Sequence, residues 1–395
     1  MKSNYRKTVL YFYLGFHERT GSLGFNPFDY RFLSALNEKY RVIVTILGRR
    51  LSVQERQNLA PRGCDFLLIR DFPLLEKLPL IIRWPSQTII RTILVTLLLR
   101  AIKPDLVDGN WVSRSSGLYC AASGYHPFLA TAWGTDILTE PKRSRVLRIF
   151  ASFTLRVADA VIVDSEVQRK AVLDLGCSAS KICCFPWGID LRKFKPEKGV
   201  CPLRENFGWQ NFKLVVSTRM HYPIYDLKTL IESVPIILSK INSVRFIIAG
   251  DGELLEYHKS LAKELGVDYA IQFMGLVPND QLPEVLRSAD VYVSTSISDG
   301  TSASLVEAMS CGLPVVVTKI PGNEEWVGHG KNGFLFPPRN SRALAEDIVT
   351  ILQNDKLRSN MREENLKLTK KRADWEKNSR IFLRCVEDLL QEKRN

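Results

Sequence analysis

Residues 291–318 read VYVSTSISDGTSASLVEAMSCGLPVVVT. The apolar run Val291–Ser296, rich in β-branched residues, predicts a strand buried on both faces. The small polar residues Ile297–Ser304 follow as a loop. Leu305-Val306-Glu307-Ala308-Met309 then reads as a helix, and Val315–Thr318 as the next strand. A strand, a glycine-containing turn, a helix and a second apolar strand make one unit of a parallel sheet.

The same alternation runs outward in both directions. Toward the N-terminus, strands are expected at Val9–Gly15, Arg41–Gly48, Cys64–Arg70, Leu106–Asn110, Pro127–Trp133, Ala160–Ser165 and Ile182–Trp187. The stretch 186–200, PWGIDLRKFKPEKGV, interrupts the rhythm with prolines, glycines and charge. It then resumes at Leu214–Thr218, Arg245–Gly250, Ile271–Gly275, Val291–Ser296, Val315–Thr318 and Phe334–Pro337. The expected fold class is therefore α/β, with two Rossmann-like doubly wound domains facing a cleft. The expected boundaries are 1–190, a linker at 191–200, 201–360, and C-terminal helices at 361–395 that return to the first domain. A chain of 395 residues suits two domains of about 100–200 residues each.

The cysteines at 64, 120, 177, 183, 184, 201, 311 and 385 show no C-x-x-C spacing, which favours reduced thiols in the cytoplasm. The most apolar window, Ile89–Ile102, is interrupted by Arg91 and Arg100 and falls short of the roughly 20 apolar residues needed to span a bilayer. Charge is uneven. Residues 1–195 hold 29 Lys+Arg against 16 Asp+Glu, while residues 196–395 hold 26 of each. Leu80–Lys103 and Pro141–Arg156 concentrate the excess among apolar residues, as expected of a surface that meets anionic lipid or of ordinary crossover helices with solvated arginines. RNA-binding strands, zinc ligands and a helix-turn-helix signature are missing from the sequence, so no nucleic-acid partner is expected.

In doubly wound domains, ligands sit where strand C-termini meet helix N-termini. At that place after Val291–Ser296 lie Asp299, Gly300, Thr301, Ser302 and Ala303, whose small side chains let backbone amides approach a diphosphate. Glu307 follows Asp299 by eight positions, about two helical turns. Two acids so placed could hold the hydroxyls of a hexose and of a ribose. Equally, Asp299 and Ser302 could be helix caps and Glu307 a solvated residue.

The segment Asp299–Val316 resembles the acid-x7-acid motif and E-A-M-x-C-G-x-P-V-V run of the family-4 (group 1) retaining glycosyltransferases of GT-B fold. The resemblance covers most of the chain, closest over 211–355. It implies that Glu307 binds the nucleotide ribose and that Asp299 with Gly300, Thr301, Ser302 and Ala303 meets the donor sugar and phosphates, although the first acid is commonly Glu. Arg219, after a strand, resembles the arginine that contacts the diphosphate. The lysine usual near there is replaced, with Tyr225 close by as a hydrogen-bond donor. Gly252 in Ala249–Glu253 resembles a GDGP-like turn, and Leu276 and Val277 the segment that reads the nucleobase. Gly24 in Gly21–Gly24 stands for the glycine loop of the first domain. Trp133 replaces a histidine in Thr131–Asp136, and Trp133 and Asp136 are expected on the acceptor side.

The resemblance further implies that the first domain binds the acceptor and the second the nucleotide-sugar donor, with retention of configuration. The catalytic pair would be Arg219 and Asp299. No D-x-D-type pair lies at a strand end, so no metal and no cofactor beyond the donor substrate are expected. The acceptor would be a surface polysaccharide or its lipid carrier, and the place cytoplasmic, at the inner face of the membrane where lipid is bound. A nicotinamide-dependent oxidoreductase would need G-x-G-x-x-G soon after the first strand, and Gly15–Gly24 lacks that spacing. A non-catalytic nucleotide-sugar-binding protein of the same fold is the other alternative.

Overall fold

The structure, a computed structural model, describes residues 7–12, 27–48, 56, 60–70, 80–197 and 202–392. It divides into two compact units, Met1–Phe185 with Ser379–Asn395, and Pro186–Asn378. The break thus falls at Phe185/Pro186, just ahead of the expected 190. The segment 361–378 belongs to the second unit, and only the end of the C-terminal tail belongs to the first.

The first unit holds a parallel sheet of β1 (Thr8–Phe12), β2 (Arg41–Gly48), β3 (Asp65–Arg70), β4 (Leu106–Asn110), β5 (Phe128–Thr131), β6 (Ala160–Val163) and β7 (Ile182–Cys184). Its order is β3-β2-β1-β4-β5-β6-β7. The order reverses between β1 and β4, which makes their carboxyl ends the ligand-binding end of the sheet. Helices Leu80–Ile102, Ser115–Ser123 and Arg145–Val157 pack on it through Val95, Leu99, Leu118, Ala151 and Leu155. In the helix Trp375–Glu392, Phe382 stacks on Phe32 with ring centroids 4.6 Å apart.

That helix also carries Cys385, disulfide-bonded to Cys183 of β7 with a Cα–Cα distance of 6.8 Å. The expectation of reduced thiols fails for this pair. The partners are separated by 202 residues, so their meeting is a consequence of the fold and not of any spacing in the sequence. Cysteine usage accordingly no longer argues for one redox compartment.

The second unit repeats the design with β8 (Lys213–Ser217), β9 (Val244–Ala249), β10 (Ile271–Gly275), β11 (Val291–Ser294), β12 (Val315–Thr318) and β13 (Gly333–Phe336). All pairings are parallel in the order β10-β9-β8-β11-β12-β13, with the reversal between β8 and β11. Each apolar run expected to be a strand falls on one of these thirteen strands. Residues of β8, β9, β11 and β12 point to both faces of the sheet, feeding two buried clusters. One includes Val215, Phe246 and Val293, the other Val216, Ile247 and Tyr292. This burial on both faces is what continuous apolar runs, rather than alternating ones, encode.

Candidate active site

The sequence turns abruptly polar at the ends of β8 and β11, and both ends lie at the switch point of the second sheet. β8 delivers Arg219 and β11 delivers the loop 295–302. Ser302 caps the helix Ala303–Ser310, its hydroxyl accepting the Leu305 amide at 3.4 Å. The cap expected of Ser302 is therefore present. Asp299 makes no cap; its carboxylate meets Arg219.

Arg219 is 8% exposed and its head is surrounded. Nη2 donates to Asp299 Oδ2 at 2.6 Å, and Nη1 donates to Ser302 Oγ at 2.7 Å and Ser304 Oγ at 2.9 Å. The Tyr225 ring lies against the guanidinium, 4.1 Å from Cζ to centroid. Burial opposes the charge on Arg219, but the Asp299 carboxylate more than restores it, and the pKa is raised. Tyr225 thus meets Arg219 through its ring face. Burial raises its own pKa, with Arg219 acting the other way, so it stays a neutral phenol.

A cation beside the N-terminus of a helix is an arrangement that favours an incoming anion. Asp299 supplies only one negative charge to both. Glu307 lies on the same helix and is 6% exposed, so it is no solvated helix residue. Gly300 and Asp299 are backed by Gly322, where an added Cβ would lie 2.5 Å from the Asp299 carbonyl oxygen. Thr301 accepts from Trp326 Nε1 at 3.4 Å. Arg219, Tyr225, Asp299, Gly300, Thr301, Ser302, Ala303 and Glu307 are thereby brought to one place.

Gly252 serves the same place from behind. A side chain there would press on the His221 carbonyl at 2.7 Å, so the glycine lets the turn after β9 close on the segment carrying Arg219. The His221 amide donates to Asp251 O at 2.9 Å, and the Leu254 amide to His221 O at 3.0 Å. His221 and His258, both buried, share an Nδ1···Nδ1 contact of 2.8 Å. Leu276 and Val277 follow β10, two places from β8 in the sheet. Leu276 is 70% exposed, while Val277 is partly buried and packs against the core. Gly24 lies outside the described residues.

In the first unit, Asp136 is fully buried and accepts the amides of Val112, Trp133 and Gly134, each at 2.9 Å. Burial pushes its pKa up to about 6 against the pull of those amides. A carboxylate so occupied shapes the loop that carries Trp133. Trp133 is half-buried, and its indole donates to Asn110 Oδ1 at 2.7 Å.

The sequence reading missed Ser304, Tyr292, Asn110 and the His221–His258 pair. Ser304, whose Oγ accepts from Tyr292 Oη at 2.8 Å, had a signal in its spacing from Ser302. The histidines, 37 positions apart, had none.

Residues 204–368 match the model described as glycosyl transferases group 1, and residues 31–165 match glycosyl transferase 4-like. Residues 204–368, within the second unit, are those of a group 1 glycosyltransferase. It is 31% identical over 171 residues to an uncharacterized glycosyltransferase of Methanocaldococcus jannaschii, covering 43% of each chain. A putative teichuronic acid biosynthesis glycosyltransferase of Bacillus subtilis is 26% identical over 289 residues, covering 70% of this chain and 69% of that one. The match spans under half the length of the first two curated relatives, 43% and 48%. The solved structure of Anabaena HepE in complex with UDP superposes with a TM-score of 0.76 at 20% identity, covering 97% of this chain and all of that one. That likeness is one of fold: two Rossmann-like domains of the GT-B class.

Proposed function

We propose that this glycosyltransferase moves a hexose from a nucleoside-diphosphate sugar to a saccharide or lipid-linked acceptor in the assembly of a surface polysaccharide or lipid glycoconjugate. The observation that carries the reading is the buried Arg219 at the N-terminus of helix Ala303–Ser310, flanked by Asp299 and backed by Tyr225. In this reading the bond between the sugar's anomeric carbon and the diphosphate breaks as a bond to the acceptor oxygen forms. Arg219 and the helix amides stabilise the departing diphosphate, a role that does not call for a metal. The acceptor's proton passes to an oxygen of the leaving phosphate, and the sugar keeps its configuration. Glu307 holds the ribose hydroxyls, Asp299 the sugar, and Leu276 and Val277 the base.

Two outward faces support a membrane-bound acceptor and a place on the inner surface of the cytoplasmic membrane. Helix Leu80–Ile102 exposes Ile89, Ile93 and Leu97 at four-residue intervals, and helix Arg145–Val157 exposes Val146, Ile149 and Phe153 beside Arg145 and Arg148. Among the described residues, no helix is long and apolar enough to cross a membrane. Apolar side chains flanked by arginines suit the boundary of an anionic bilayer. Failure to co-sediment with anionic liposomes at low salt would remove this part of the reading.

The main test is a thermal-shift panel of UDP-, GDP-, ADP- and dTDP-sugars, followed by assay of transfer or donor hydrolysis with the stabilising donor. Glu307→Ala is expected to abolish donor binding, and unchanged affinity refutes its ribose role. Binding without turnover in any acceptor mixture favours the non-catalytic alternative.

A further inference from the structure

The carboxyl ends of β4 and β5 in the first unit carry two tryptophans, Trp111 beside the reversal of that sheet and Trp133 one strand further out. Asn110 ties this corner together, its Nδ2 donating to Phe12 O at 2.6 Å and its Oδ1 accepting from Trp133 Nε1 at 2.7 Å. The Trp111 amide donates to Thr131 O at 3.2 Å, continuing the β4–β5 pairing. Both indole N–H groups are thus spoken for, since Trp111 Nε1 donates to Glu140 Oε2 at 3.1 Å. Their rings are held by the polar edge and stay only half-buried. A ring fixed in this way offers an apolar face at little entropic cost, which suits the C–H face of a pyranose.

The backbone here is held against its own preference. Trp111 and Ser115 adopt the left-handed region, with φ 67° and 62°. Gly117 lets the chain fold back, because a Cβ there would lie 2.7 Å from the Trp111 carbonyl oxygen. Buried Glu140 anchors the loop, accepting also from Ser113 Oγ and pairing with Arg114 Nη2 at 2.7 Å. Arg114 is nonetheless 47% exposed at its side chain, and its guanidinium lies 5.6 Å from the Trp111 ring centroid. With five N–H donors, an arginine so pinned keeps others for a ligand. Exposed Lys142 and Arg143, on the helix that begins at Glu140, keep the local field positive.

We propose that Trp111, Trp133 and Arg114 form a subsite for a pyranose that carries a negative group, phosphate or carboxylate, at the acceptor end of transfer. The inference rests on the glycosyltransferase reading and adds the class of acceptor. The rings stack on the sugar, and Arg114 takes the anionic oxygens.

The test is saturation-transfer NMR on the full chain, with its nucleoside diphosphate at saturation so that Arg219 is occupied. The probes are glucose 1-phosphate, methyl glucuronide and neutral methyl glucoside. At least one anionic probe is expected to bind roughly tenfold more tightly than the neutral one, and which of them binds separates phosphate from carboxylate. Trp111→Ala should weaken the anionic probe at least tenfold. Arg114→Gln should reduce it to the level of the neutral sugar, with an unchanged Tm showing that the loop around Glu140 stays in place. Nucleotide affinity should be unchanged in both variants. Equal binding of neutral and anionic probes, or indifference to both substitutions, overturns the proposal. Loss of nucleotide binding by the unsubstituted chain instead strikes the glycosyltransferase reading itself.

Discussion

Nη2 of Arg219 lies 2.6 Å from Oδ2 of Asp299, so the cation expected to meet the donor phosphates is engaged by the acid expected to meet the donor sugar. The two side chains are 9% and 21% exposed, shielded enough for the attraction to matter. A diphosphate arriving at Arg219 must compete with that carboxylate. Asp299→Asn keeps the shape and removes the charge, so it should tighten binding of the nucleoside diphosphate alone, by about tenfold or roughly 1.4 kcal/mol. Transfer should fall at the same time by at least tenfold, because the sugar loses its partner. Calorimetric affinity and steady-state rate measure the two separately. If both fall together, Asp299 is no competitor for Arg219.

Gly322 makes a second prediction about the same loop. Helix Pro321–Glu324 presses its glycine on the carbonyls of Asp299 and Gly300, where a Cβ would stand 2.5 Å from the first. Gly322→Ala should therefore push the loop out of place, weakening donor binding at least tenfold and lowering the Tm. Gly124 is the control. It caps helix Ser115–Ser123 with φ 65°, and nothing lies within 4 Å of an added Cβ. Gly124→Ala should cost about 1–2 kcal/mol of stability through backbone strain alone and leave donor affinity unchanged.

The contrast between these glycines bears on what a sequence can reveal. Strands such as Val291–Ser294 and Val315–Thr318 were legible because burial on both faces writes itself as an unbroken apolar run. Asp299 and Glu307 were candidates because strand ends and helix starts fix where polar residues can meet a ligand. Arg219, and the roles of all three, came from the resemblance to a known family. The contacts among them were not legible. Asp299 binding Arg219, Tyr225 using its ring, and Asp136 spending its oxygens on amides depend on distances between segments far apart in the chain. Cys183 with Cys385 belongs to the same class: neither spacing nor composition encodes a meeting across 202 residues.

Asp108, at the centre of β4, gives a prediction for the first unit. Burial raises its carboxyl to about 7 against the hydrogen bond from Thr131 Oγ1 at 3.0 Å. The folded pKa exceeds the unfolded one, so the fold favours the protonated form. Its stabilisation is complete below the unfolded value, near 3.8, and is lost as pH rises through about 7. Asp108→Asn keeps an acceptor for Thr131 and cannot ionise. Relative to the wild type, the variant should gain a few kcal/mol between pH 4 and 8, at about 1.4 kcal/mol per pKa unit. Urea unfolding across that range measures the difference, and a constant offset at every pH would contradict it.

The His221–His258 pair behaves with the opposite sign. Burial lowers both rings to about 4 from 6.5; for His258, neighbouring His221 adds to the effect. One neutral ring donates across the 2.8 Å contact and the other accepts. Because the folded pKa values lie below the unfolded ones, the unfolded chain binds more protons between pH 6.5 and 4. Stability is therefore full above about 6.5 and is lost as pH falls toward 4. His258→Gln keeps a donor and an acceptor facing His221 but removes one titrating group. It should cost little at pH 7.5 and should make unfolding of the second unit less sensitive to acid. The urea midpoint at pH 7.5 and 5.0, for wild type and variant, decides it. The pair stitches the helix Leu255–Glu264 to the segment bearing Arg219, so an unchanged acid sensitivity would mean that this segment is held by its backbone hydrogen bonds alone.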